Sequence, residues 1–475
     1  MLNVLNSALA HPARLAFVFW FFCFALTIPA SAGIAQQAAV KNVTLPLTLA
    51  DAWARAEAKS DQLTIAGARE EQARGSALES GSLRRPRLSA FSSYDRTLQS
   101  EFDGVTGFAP DSTTSSSEDS AEIPFGSAHT YRAGLTASYT VFSGGRFLAQ
   151  TRAAASSRRA AELGFVSTRA QVRLDVTEAY YDAMLADRLH RIAEWTLEQA
   201  DSTYHRMTLM TGVGRAPEFD LVRAKASRDR QRPVVIQREA DRDIAMLRLR
   251  QLLHVPATAE LTLPTDIVAA PADRPGAPSI ESASRESASS RTAVREAAES
   301  VARGEQLVLA SEAGRLPAVS LTSTYERVAY PLRGNPTWKE SRANWTLGAR
   351  VDLPILTGGH QSGSDAVAHA ELDAARARLR QTEQLAELDT RSSMARLGAA
   401  EAAFEASEAS VEEASRAYSI AMLRFHEGVS IQLELTDARL LLEQARADQA
   451  RAARDLSVAR VRATLLTDLP LGSGR

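Results

Sequence analysis

The feature that most constrains this chain is that its plan is written twice. Pro86-Arg87-Leu88-Ser89-Ala90-Phe91 is matched by Pro317-Ala318-Val319-Ser320-Leu321-Thr322, and Val141-Phe142-Ser143-Gly144-Gly145 by Ile355-Leu356-Thr357-Gly358-Gly359. Gly212-Val213, followed by Arg223, is matched by Gly428-Val429, followed by Arg439, at one common offset. Three matches in the same order mean a duplicated unit. A chain of 475 residues is also too long for one ordinary domain. The repeats, 33–254 and 280–469, join through a Pro- and Ala-rich linker, 255–279, and a short tail, 470–475, follows.

Each half reads as helix, two strands, long helix, sharp turn, helix. The predicted helices run over about 48–83, 146–210 and 217–253, then over about 280–314, 360–426 and 431–466. At 1.5 Å per residue the long helices span about 98 and 100 Å, and the short pairs sum to about 110 and 106 Å. The matching lengths predict a broken rod, made of the short pair, beside each long helix. Helices this long are rare in globular domains and common in coiled coils. Leu385, Leu388, Ser392, Ala395, Ala399, Ala402 and Ala406 step by three and four. So do Leu442, Ala445, Gln449, Ala452, Leu456, Ala459, Ala463 and Leu466. Both are heptad seams built mainly of alanine. Small knobs let backbones approach closely, which suits helices laid side by side as staves. An ordinary alanine-rich bundle is the alternative.

Strands are predicted over about 86–97, 131–143, 317–328 and 344–355. Trp345, Leu347, Ala349, Val351 and Leu353 alternate with Thr346, Gly348, Arg350 and Asp352; Leu135, Ala137, Tyr139 and Val141 alternate with Thr136, Ser138 and Thr140. Such strands carry one apolar and one polar face. About ten residues cross a bilayer when tilted, but a soluble sheet lying on helices alternates identically. Spanning would impose a count. Four strands do not close a barrel, and open edges do not sit in lipid. Several copies would then share one barrel, and three chains would give about twelve strands. The polar segment Gln99–His129 reads as an extracellular loop, and Pro331–Glu340, with Trp338, as its shorter counterpart.

Arg14, the apolar run Leu15–Ile28 and the small residues Ala30-Ser31-Ala32 make 1–32 a cleavable secretory signal peptide. The single cysteine, Cys23, lies inside it, so disulfides and thiolate chemistry are not expected in the mature chain. No later stretch is apolar over about eighteen residues, so any membrane crossing would use β-strands. A formal net charge of −2 gives no basic field for nucleic acid. No P-loop, nucleophile elbow, zinc-binding H-E-x-x-H or paired-carboxylate pocket is present, so no catalytic residue, cofactor or metal is expected. His190, His205, His254, His360, His369 and His426 lack ligand spacing and read as surface residues. Met207 and Met210 read as helix packing in preference to soft-metal ligands.

The secretory signal, the duplicated helix–hairpin–helix plan, Phe142-Ser143-Gly144-Gly145 opening a long helix and the glycines Gly212 and Gly428 together resemble the TolC-like outer-membrane efflux protein family. The resemblance covers about Leu45 to Leu469. It implies a mainly α chain with a membrane β-barrel part, forming a homotrimer whose twelve-stranded barrel continues as an α-helical barrel across the periplasm. It implies a place in outer-membrane lipid. It also implies passive conduction of substrates exported by an inner-membrane transporter of RND or ABC type through a periplasmic adaptor (membrane fusion) protein. Small-molecule efflux is the favoured reading. A type I protein secretion channel is the alternative, and a pore-free periplasmic scaffold is a further one.

The resemblance carries site residues with it. Two acidic residues, six and nine positions after the second turn glycine, constrict the pore in the family; they fall here on Glu434 and Asp437. Glu434 stands where the family pattern has Asp. The acidic residue of the closed-state network falls on Glu218, the aromatic on Phe425 and the basic one on Ser430. Phe425 lacks the hydroxyl, and Ser430 the charge, that the pattern expects there. Gly212, Val213, Gly428 and Val429 are the expected adaptor-contact tips. In a trimer, Glu434 and Asp437 would set six carboxylates around one axis, where like charges raise each other's pKa and attract cations.

Overall fold

The computed structural model describes residues 47–99, 129–256, 261–263, 266–268, 289–331 and 341–472. The expected signal peptide, nearly all of both expected loops, most of the linker and the start of the helix expected at 280 lie outside the described residues.

The first half contains α1 (Leu49–Lys59), α2 (Asp61–Ser82), β1 (Arg87–Arg96), β2 (His129–Phe142), α3 (Arg146–Gly212) and α4 (Glu218–Leu252). The second contains α5 (Thr292–Glu312), a short 3-10 turn, β3 (Ala318–Ala329), β4 (Arg342–Asp352), α6 (His360–His426) and α7 (Gln432–Leu465). The helix expected over 48–83 is broken. Ser60 leaves helical geometry at ψ 123°, ends α1, and accepts the Leu63 N–H to cap α2. A capping box between Thr48 and Asp51 starts α1.

The two long helices, α3 and α6, are each 67 residues, about 100 Å. Each leaves its strand through two left-handed glycines: Gly144 (φ 63°) and Gly145 (91°), then Gly358 (57°) and Gly359 (88°). Side chains resist that conformation, and a Cβ on Gly144 would also lie 2.7 Å from Leu316 Cβ.

Helices α2 and α4 lie along α3, and α5 and α7 lie along α6. Helix α3 joins the halves through α5 and α7, so the lower helices follow the order α4–α3–α7–α6. The main core forms where α1, α3, the end of α4 and the middle of α7 meet, around Leu47, Ala52, Val176, Tyr180, Leu249, Leu253 and Ala453. The Tyr180 hydroxyl donates to the Leu47 carbonyl at 2.9 Å. Nearby, fully buried Arg291 donates to Asp389 at 2.9 Å and to the Leu469 carbonyl at 3.1 Å, tying the start of α5 to α6 and to the chain beyond α7.

The strands form one antiparallel sheet in the order β1-β2-β3-β4, leaving β1 and β4 as edges.

Candidate functional site

Register turns the alternation of single strands into two continuous faces. Ala90, Leu135, Tyr325 and Trp345 make one row across all four strands, and Leu88, Ala137, Ser323 and Leu347 make another on the same side. Tyr139–Leu321–Ala349 extends that face. The opposite face carries the rows Ser89–Thr136–Thr324–Thr346 and Arg87–Ser138–Thr322–Gly348, then Thr140–Ser320–Arg350.

Nothing described covers the apolar face: Leu347 is 80% exposed, Trp345 76% and Leu88 71%. The strands pack on one another, and among the described residues no helix lies along them. Among the described residues, then, the sheet does not rest on the helices of its own chain. A contiguous apolar surface of this kind marks a membrane or protein contact. The hydroxyl-rich face suits water.

The second region is the pair of turns at the far end of the long helices. The left-handed glycines there are Gly214 and Gly428, both at φ 72°. Their separation, 428 − 214 = 214, equals that of the strand-end glycines, 358 − 144 = 214. Gly212 is therefore not the counterpart of Gly428: it is the last helical residue of α3. The Gly-Val dipeptides, 216 residues apart, stand two residues out of that register. With the register restored, 220 + 214 = 434, so the first-half counterpart of Glu434 is Asp220 and not Glu218. Val213 and Val429 are 71% and 70% exposed at the two tips.

At the second turn, Arg424 donates to Glu434 at 2.9 Å, and the Ser430 hydroxyl donates to the other oxygen of that carboxylate. Asp437, one turn further along α7, is exposed. Phe425 is half-buried and Glu218 is exposed in the first turn of α4. Among the described residues no hydrogen bond joins Glu218, Phe425 and Ser430 to one another.

Two side chains that sequence reasoning did not single out link α7 to α4. Gln432, 4% exposed, has its amide placed to donate to the Asp220 carbonyl (2.9 Å) and to accept from the Ala224 N–H (3.2 Å). Arg439, also 4% exposed, donates to the Ser227 hydroxyl at 2.9 Å. Burial draws the Arg439 pKa below its ordinary value and pushes that of Glu443, one turn on, upward. One signal was legible: Leu435, Arg439 and Leu442 step by four and three, so an arginine occupies a core position. Met207 is buried at 3% exposure. His190, expected at the surface, is buried at 6%, with Nε2 3.3 Å from Glu194. Among the described residues no group of three or more metal-ligating side chains gathers.

The family model described as outer membrane efflux protein matches residues 53–254 and 283–467. The chain is 25% identical over 426 residues to the pyoverdine export outer membrane protein OpmQ of Pseudomonas aeruginosa, covering 88% of this chain and 84% of that protein. It superposes on the CmeC outer membrane channel of Campylobacter jejuni with TM-score 0.73 and 17% identity, covering 90% of this chain and 87% of that one. For the outer membrane protein VceC of Vibrio cholerae the TM-score is 0.70 and the identity 20%, over 88% and 96%. At these identities the structural matches speak for the fold.

Proposed function

Because this chain belongs to the outer membrane efflux protein family, we propose that it is one protomer of a trimeric duct, not an enzyme, that carries small molecules out through the outer membrane. The observation that carries the duct is the two-faced sheet with open edges. In lipid an unpaired strand edge leaves backbone groups unsatisfied at several kcal/mol each. Three copies of a four-stranded sheet would pair every edge and close a barrel of about twelve strands, apolar outside and hydroxyl-lined within.

The helices support the same closure. The edges of the order α4–α3–α7–α6 are α4 and α6. On α6, Leu385, Leu388, Ala395, Ala399, Ala402 and Ala406 form an exposed heptad seam; on α4, Pro233, Ile236, Ala240, Ile244 and Leu247 form another. Among the described residues both seams are exposed, and a neighbouring copy would cover them.

In this reading 1–32 is removed on secretion, the barrel sits in the outer membrane, and the helices cross the periplasm. The tips around Val213 and Val429 meet a periplasmic adaptor that couples the duct to an inner-membrane pump. The pump supplies the energy, and the chain supplies a wet path. Small molecules are favoured as cargo because OpmQ is named for exporting pyoverdine. Detergent-purified protein should form trimers by negative-stain imaging and conducting channels in planar bilayers. A water-soluble monomer would end this reading.

A further inference from the structure

We propose that Gln432 and Arg439 tether the second-half tip to the first, and so set how readily the periplasmic end of the duct opens. The proposal rests on the duct reading. These are not the residues that the family resemblance points to at the tip, Glu218, Phe425 and Ser430.

The tether follows from where the hydrogen bonds run. Arg424, Ser430 and Glu434 bond to one another within α6, its turn and α7. That clasp would travel with its hairpin. Gln432 and Arg439 instead cross to α4, to the backbone at Asp220 and Ala224 and to the Ser227 hydroxyl. Both are 4% exposed. Moving α7 from α4 therefore breaks both links, and a buried polar group without its partner carries its full desolvation penalty. Among the described residues the Arg439 Nε has no hydrogen-bond partner, so the Ser227 hydroxyl is the acceptor that the guanidinium loses when the helices part. These are positioning residues; they act on the pore through the hairpin they hold.

Ser227→Ala removes the acceptor of Arg439 without touching α7, and Gln432→Leu removes the other link. Spin labels at Lys225→Cys and Leu441→Cys, both exposed, report the α4–α7 separation in trimers diluted with unlabelled chain. The double variant should shift that distance distribution longer and raise single-channel conductance in planar bilayers severalfold, with the helical content of the trimer unchanged. Ser227→Ala alone should give part of the shift. Label distances identical to those of the unsubstituted chain would overturn the tether. Absence of any channel in the unsubstituted protein would instead sink the duct reading, and the label distances would still decide the tether.

Discussion

Arg424, at the end of α6, donates a hydrogen bond to Glu434, in the first turn of α7, at 2.9 Å. The two carboxylates proposed to ring the pore therefore differ in kind. Glu434 brings a counter-charge from its own chain, whereas Asp437 is exposed. A paired charge attracts a mobile cation less than a bare one. Replacing Glu434 and Asp437 together by Ala should raise single-channel conductance and weaken block by multivalent cations. Asp437→Asn alone should give most of that weakening, and Arg424→Ala should deepen the block by baring Glu434. Conductance that ignores all three variants would remove these residues from the pore.

The sheet makes a prediction about neighbouring positions. Leu347 lies on the apolar face and Thr346 on the hydroxyl face of one strand. Arginine on a lipid-facing barrel position costs about 2–4 kcal/mol at the bilayer midplane, whereas a lumen position tunes selectivity instead. Leu347→Arg should lose yield when the chain refolds into lipid vesicles. Thr346→Arg should refold normally and shift the channel toward anions. Equal losses in both would mean that the two faces do not see lipid and water.

What the sequence disclosed tracks how local each signal is. Strand faces were legible because alternation is read within a few residues and register merely lines the rows up. The double glycines were legible because a left-handed pair before a long helix has few other uses. The seam from Leu385 to Ala406 was found, but not its exposure: period identifies a face and not what covers it. The face of α6 that is buried in this chain runs instead through Ala386, Thr390, Ser393, Leu397 and Ala414. The α7–α4 links were out of reach, since Arg439 and Ser227 are 212 residues apart. At the first turn, a repeated dipeptide outweighed the spacing of the glycines and pointed to Gly212.

The two glycines of the first turn can be told apart directly. Gly214 has φ 72°, whereas Gly212 closes the α3 helix, and neither would crowd a new Cβ. Gly214→Ala should destabilise the tip by about 1–2 kcal/mol, the cost of a side chain in left-handed geometry. Gly212→Ala should stabilise α3 by up to about 1 kcal/mol. Amide exchange of the last turn of α3 reads both. Opposite signs are expected, and a reversed order would return the turn to Gly212.

The buried ion pair at the start of α5 poses the most demanding test of stability. Arg291 is fully buried, and Asp389 accepts from it at 2.9 Å while Arg462 approaches the other carboxylate oxygen at 3.5 Å. Removing one member of a buried ion pair leaves its partner uncompensated, at about 3–5 kcal/mol. Here the loss also strips the Leu469 carbonyl of its donor. Arg462 remains beside Asp389, so that carboxylate is not wholly abandoned, which places Arg291→Ala toward the lower end. Arg291→Met keeps the packing and should cost less than Arg291→Ala. Helical circular dichroism followed through thermal unfolding ranks the three proteins. If both variants melt with the unsubstituted chain, the clasp contributes nothing to stability, and the apolar core around Tyr180 and Leu249 holds the halves together without it.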